Sequence, residues 1–171
     1  MTSLTRWTSS FTFGAVLVGC TSWKLGEPPS DAAHPASPIP QGAAEVCAVR
    51  TSVLAQAVTF PTRDNGVLVG ATRGPTYFCW FVAAGHHRIE IEADEKAIAY
   101  LDAEAGKRYW LKQEVDNIFG IVRCRPVWVT EEVAHQLLEE SSHEVLVGVP
   151  GDEKLPPSAP IVPSMPRIAS S

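Results

Sequence analysis

The chain has 171 residues, 45% of them hydrophobic and 19% charged, with a formal net charge of -5. That length supports one domain with a real core and not two of ordinary size, and the composition excludes a wholly disordered chain. The negative balance offers no basic face to a phosphate backbone, so nucleic acid is not an expected partner.

Arg6 is the only charge before an apolar run, FTFGAVLVG at 11–19, and Cys20 follows it. The run falls far short of the roughly 20 apolar residues of a membrane-crossing helix and has the length of a signal-peptide core. Leu17-Val18-Gly19-Cys20 resembles the lipobox of bacterial lipoproteins, in which small residues precede a cysteine that receives diacylglycerol before cleavage. The expectation is a signal peptide over 1–19 and a lipidated Cys20 as the mature N-terminus, whose two or three acyl chains anchor stably where one chain is marginal. An ordinary signal peptide, or a buried N-terminal strand with Cys20 incidental, is the competing reading. Thr21 rather than Asp after the cysteine resembles the sorting pattern for the bacterial outer membrane, with the protein anchored there on the periplasmic face.

Residues 21–44, rich in Pro, Ala and Ser, cannot bury enough apolar area to offset backbone ordering and are expected to form a stiff spacer. Residues 45–150 are expected to be the folded unit, and 151–171 a Pro-rich disordered tail. Inside the folded unit, short strands are expected at 46–50, 57–60 and 67–70, with a turn over 63–66 whose Asn65-Gly66 tolerates positive φ. At 77–82 both alternating faces are apolar, as in a strand covered on both sides, and Ala83-Ala84-Gly85 is expected to turn a hairpin into 87–92. There His87, Ile89 and Ile91 alternate with Arg88, Glu90 and Glu92, which predicts one dry and one wet face. Further strands are expected at 96–101, 108–115, 118–122, 126–129 and 144–149. Thr130 reads as the N-cap of a helix over 131–142 with Val133, Leu137 and Leu138 on its buried side. Short strands at hairpin spacing with one late helix predict a mainly β fold, an antiparallel β-sandwich.

Several elements in order, Ala48-Val49-Arg50, Asp64-Asn65-Gly66 with Val69-Gly70, the run 74–78, Gly85-His86, Ala105-Gly106 with Tyr109-Trp110, and Arg125-Pro126, resemble a family of small bacterial lipoprotein domains of unknown function, the 2846 family. The resemblance covers about residues 46–140; a looser one, to PEGA-type surface domains, lacks their Gly-Thr-Pro element. It implies a β-sandwich of the prealbumin or carboxypeptidase-regulatory type with a short C-terminal helix, no established activity, and a turn-proximal His that steadies the hairpin.

Cys79 with His86 or His87 is the enzyme-like constellation, but Cys79 stands between Phe78 and Trp80, whereas a nucleophilic thiol wants an exposed electropositive niche. Adjacent histidines on a strand point to opposite faces and do not share one ion, so no metal site and no cofactor are expected. Glu90, Glu92, Asp94 and Glu95 fit no calcium-loop spacing and read as a solvated face. With Cys20 lipidated, Cys47, Cys79 and Cys124 remain in an oxidising compartment, an odd count that leaves one thiol free or paired elsewhere. A Cys47–Cys124 bridge is the expected pairing because sandwiches bring their first and last long strands together; three buried reduced thiols is the alternative. Aromatic residues such as Trp80 and Trp128 are expected mostly in the core, with outward members such as Trp110 available to a binding face. The expected function is a lipid-anchored envelope protein, no enzyme, whose β-sandwich binds or scaffolds at the membrane surface, with an unknown protein or cell-wall partner. The alternatives are a sugar- or peptide-binding module facing the cell wall and a structural subunit of an envelope assembly.

Overall fold

A computed structural model describes residues 22–156; Cys20 and the segment 157–171 lie outside them. The elements are β1 (Lys24–Gly26), β2 (Ala43–Arg50), β3 (Thr59–Asp64), β4 (Val67–Arg73), β5 (Thr76–Ala83), β6 (Gly85–Glu92), β7 (Lys96–Ala103), β8 (Arg108–Ile118), β9 (Ile121–Val129), α1 (Glu131–Glu139), β10 (Ser142–His143) and β11 (Val145–Gly148). The protein is mainly β with one short helix. A five-stranded sheet ordered β10-β5-β2-β8-β9 faces a four-stranded sheet ordered β4-β3-β6-β7, and β1 pairs with β11 apart from both.

Strand alternation builds the core between the two larger sheets. Val46 and Ala48 of β2, Phe78 and Trp80 of β5 and Leu111 of β8 project from one side, and Phe60, Ile89, Ile91 and Leu101 meet them from the other. Each large apolar side chain so buried contributes about 1.5–3 kcal/mol. β6 follows its sequence pattern, with His87, Ile89 and Ile91 buried and Arg88 exposed. β5 is apolar on both faces for a physical reason: its second face lies under α1 and the segment near Ala33, where Cys79 joins Cys47, Trp110 and Ala134 in a separate buried layer. Gly70 is also accounted for, since a Cβ there would overlap the Phe78 ring.

Several expectations are corrected. The sandwich is not wholly antiparallel: β2 runs parallel to β8, and β10 to β5. A parallel pair needs a long crossover, and the chain between β2 and β8 supplies one by building β5 and the whole second sheet. Residues 83–85 do not close a hairpin. β5 and β6 belong to different sheets, so Ala84 is the corner where the chain crosses from one layer to the other. The strand expected at 118–122 is instead a tight turn at Phe119 and Gly120, φ 52 and 88, and the stretch from 126 belongs to the single long strand β9. Residues 22–44 are not a free spacer. Leu25 pairs through β1 with β11, Trp23 packs beside Leu68 and Leu146, and Ala43 and Ala44 already belong to β2. The buried face of α1 carries Ala134 and Leu138, one turn apart, whereas Val133 is 41% exposed. Thr130 makes no side-chain cap bond.

The two flanks of the sandwich differ. On the β7–β9 flank the sheets are laced together: the Trp128 indole donates to the Tyr100 carbonyl at 3.1 Å, the Val122 amide donates to an Asp94 carboxylate oxygen at 2.7 Å, and Arg123 pairs with Glu95 at 2.8 Å. In the interior, the Gln113 amide reaches from β8 across to the hydroxyls of Thr62 and Thr72. The opposite flank, between β4 and β5, holds the site.

Candidate functional site: an apolar groove beside a buried disulfide

β4 and β5 are neighbours across the sandwich at its open flank. β10 covers only Thr76 and Tyr77 of β5, with the Glu144 amide reaching the Tyr77 carbonyl. Beyond Tyr77, no strand among the described residues pairs with the outer edge of β5. The gap encloses about 440 Å³, walled by Val67 and Val69 from one sheet, Phe78, Trp80 and Phe81 from the other, and capped by Leu146. Pro29, Asp31, Ala32 and Ala33, with Leu155 and Pro156, complete it, and Asp31 is the one charged residue in this wall among the described residues. A mostly apolar cleft of a few hundred Å³ with few polar groups is the usual form of a ligand pocket.

Cys79 borders the same groove, and its sulfur is bonded to that of Cys47 at 2.04 Å. This overturns the Cys47–Cys124 pairing. Cys47 and Cys79 stand directly opposite on the antiparallel strands β2 and β5, and opposed residues share a face at bonding distance. Cys124 is on β9, separated from β2 by β8, and it projects into the core between the sheets, on the other side. It is a free thiol whose pKa burial pushes up to about 12.

One charge accompanies the bridge. Glu45, two residues before Cys47 and so on the same face of β2, is fully buried. One of its carboxylate oxygens is paired with the Arg108 guanidinium, and Oε1 has no hydrogen-bond partner. A Glu45 carboxylate oxygen and the two sulfurs all lie within 4.8 Å of one another. Burial lifts the carboxyl above its ordinary range, opposed by the hydrogen bond and charge of Arg108. Arg108 is held in place by the Ser37 carbonyl at 2.9 Å.

The histidines do not join this constellation. His86 is 93% exposed in its side chain and pairs with Asp102. His87, on the other sheet from Cys79, is buried; its Nδ1 lies 2.8 Å from both oxygens of Asp64, and Nε2 lies 2.9 Å from the Ala83 carbonyl. The Trp80 indole donates to the same Asp64 carboxylate at 3.3 Å. This cluster clamps the Ala83–Gly85 corner to the Asn65 turn. His87 therefore steadies a corner between sheets rather than a hairpin.

The acidic run is dispersed into pairs: Glu90 with Arg88 and Lys96, Glu92 with Arg63, Glu95 with Arg123. Trp110 is 4% exposed beneath α1 and faces no ligand. Arg50 is wholly buried with no carboxylate partner; its guanidinium donates to the carbonyls of Leu54, Ala55 and Val58 and stacks over Phe60 at 4.1 Å, which ties the 51–58 loop to the sandwich. Sequence reasoning missed Glu45, although a lone acid inside the apolar run AAEVCAV was its visible signal. No family model matches the chain, and no curated protein or solved structure matches it either.

Proposed function

We propose that the protein is a lipid-anchored component of the bacterial cell envelope, held at the outer membrane through Cys20, whose β-sandwich binds rather than catalyses. The observation that carries the binding half is the apolar groove between β4 and β5, with aromatic walls and an unpaired strand edge alongside. That combination favours an extended peptide segment: an edge offers backbone hydrogen bonds and the groove accepts alternate apolar side chains. A sugar is less well served, because one charged residue is all the polarity this wall offers beyond the backbone. The partner is then a protein of the envelope or one bound to the cell wall. Two face-to-face sheets with one short helix outside them support a sandwich of the prealbumin or carboxypeptidase-regulatory type.

The anchoring half rests on the sequence around Cys20. Its test is fractionation: Cys20→Ala should move the protein from membrane to soluble fractions, and unchanged membrane association would count against lipidation. The binding half is tested by a photo-crosslinking residue at position 81 in the full chain. Adducts to one recurrent envelope protein, abolished by Val69→Asp in the opposite wall, are expected; adducts insensitive to that change would place the contact elsewhere.

A further inference from the structure

Three features described separately lie side by side: a groove sized for a ligand, a disulfide one of whose cysteines borders it, and a buried acid that has one unpartnered oxygen and a carboxylate oxygen within 4.8 Å of both sulfurs. We propose that the Cys47–Cys79 bridge is a thiol–disulfide exchange site, which captures a thiol-bearing ligand covalently on Cys79 with Glu45 as the proton donor to Cys47. It takes the groove to be the binding face, as above, and adds a covalent step to it.

The two sulfurs are not equivalent. Cys79 is 9% exposed and borders the groove, whereas Cys47 is wholly buried between β5 and β8. Of the two, Cys79 is therefore the cysteine placed for attack by a thiolate arriving along the groove. Attack forms the ligand–Cys79 disulfide, breaks the bond between Cys79 and Cys47, and leaves the electron pair on Cys47 Sγ as a thiolate. A thiolate buried in that apolar layer is costly without a proton or a cation. Glu45, already hydrogen-bonded to Arg108, supplies the proton from its carboxyl, and the same guanidinium holds the carboxylate left behind. Burial raises the Glu45 carboxyl above its ordinary range, the direction that favours the protonated donor, and Arg108 opposes it. In reverse, the Cys47 thiol returns its proton to Glu45, attacks Cys79, restores the bridge and frees the ligand. One disulfide is exchanged for another in each direction, so no external oxidant or reductant is consumed.

The groups around the acid restrict this chemistry to one direction of approach. β8 contributes Arg108 and Trp110, α1 covers Cys47 with Ala134 and Leu138, and Ala33 packs over the same layer. The groove is what leaves Cys79 reachable.

Reduced glutathione serves as the probe thiol, applied to the full chain in detergent. The reaction is quenched in acid, free thiols are blocked with N-ethylmaleimide, and the adducts are mapped by mass spectrometry. Glutathione should be found on Cys79 and not on Cys47, at a rate that stays flat with urea until the unfolding transition begins. At equal fraction folded, Glu45→Gln should slow the reaction about a hundredfold, the low end for loss of a positioned proton donor. Ala33→Trp, which crowds the covering layer and leaves Glu45 in place, should slow it too, and stands in if the Gln variant does not fold. A rate that tracks the unfolded fraction would show a bridge that only braces the sheet. That result, adducts on both sulfurs alike, or an unchanged rate in these variants would each overturn the proposal. Because glutathione is small, failure of the groove to bind peptides would leave this result intact, so the two readings fail separately.

Discussion

Glycine at position 70 is a packing requirement. Its missing side chain is the space the Phe78 ring occupies, so Gly70→Ala should lower stability by about 1–3 kcal/mol through overpacking, measurable as a fall in the urea midpoint. Glu45 has a different signature, visible in pH. Burial raises its folded-state pKa above 4.5, so the unfolded chain releases this proton first as pH climbs. The protonated form's contribution is complete below about pH 4.5 and is lost as pH rises through the folded value. Glutamine carries no titrating proton, so the stability of wild type minus that of Glu45→Gln should fall as pH climbs above about 4.5. A difference that stays level across that range, in urea unfolding at each pH, would remove Glu45 as the group responsible. Both residues were legible in part: the glycine stood in a recognisable order of elements, and the acid interrupted an apolar strand. What each touches depended on the other sheet or on α1, which no local pattern encodes.

At the scale of elements, the disulfide staples β2 to β5 across a sequence separation of 32. A loop of that length corresponds to about 4 kcal/mol of denatured-state restriction. Cys79→Ser should therefore lower the unfolding free energy by a comparable amount, and reductant should have almost no further effect on that variant. If reductant destabilised wild type and Cys79→Ser equally, the bridge would lie elsewhere. The strand pattern itself was readable: period-two alternation located β6, β7 and most of β8, and the two-faced apolarity of β5 foretold its double covering. The connections were less readable. Ala83-Ala84-Gly85 has the composition of a hairpin turn, yet β5 pairs with β2 and β6 with β3, because the covering of both β5 faces requires the chain to leave that sheet. The same error of partner misassigned the cysteines: pairing Cys47 with Cys79 follows at once from the β2–β5 register, and the register was not in the spacing. β1 escaped notice because Leu25 lies in a Pro/Ala-rich stretch and finds its apolar neighbours only through β11.

For the whole molecule, a mainly β class followed from composition and alternation. The groove did not, since it is made by two strand edges from different sheets and by chain segments from both ends of the described region. The lacing along β7 and β9 and the Gln113 bridge fix the two sheets to each other on one side and through the middle. Across the other side, β4 and β5 meet through side-chain packing and the covering segments. Such a body resembles a clasped book, with its polar ties along the spine and side-chain packing at the fore-edge. The leaf that carries Cys79 lies at that fore-edge, with its cysteine turned to the outer cover beside α1 and its Phe78 and Trp80 rings to the inner page.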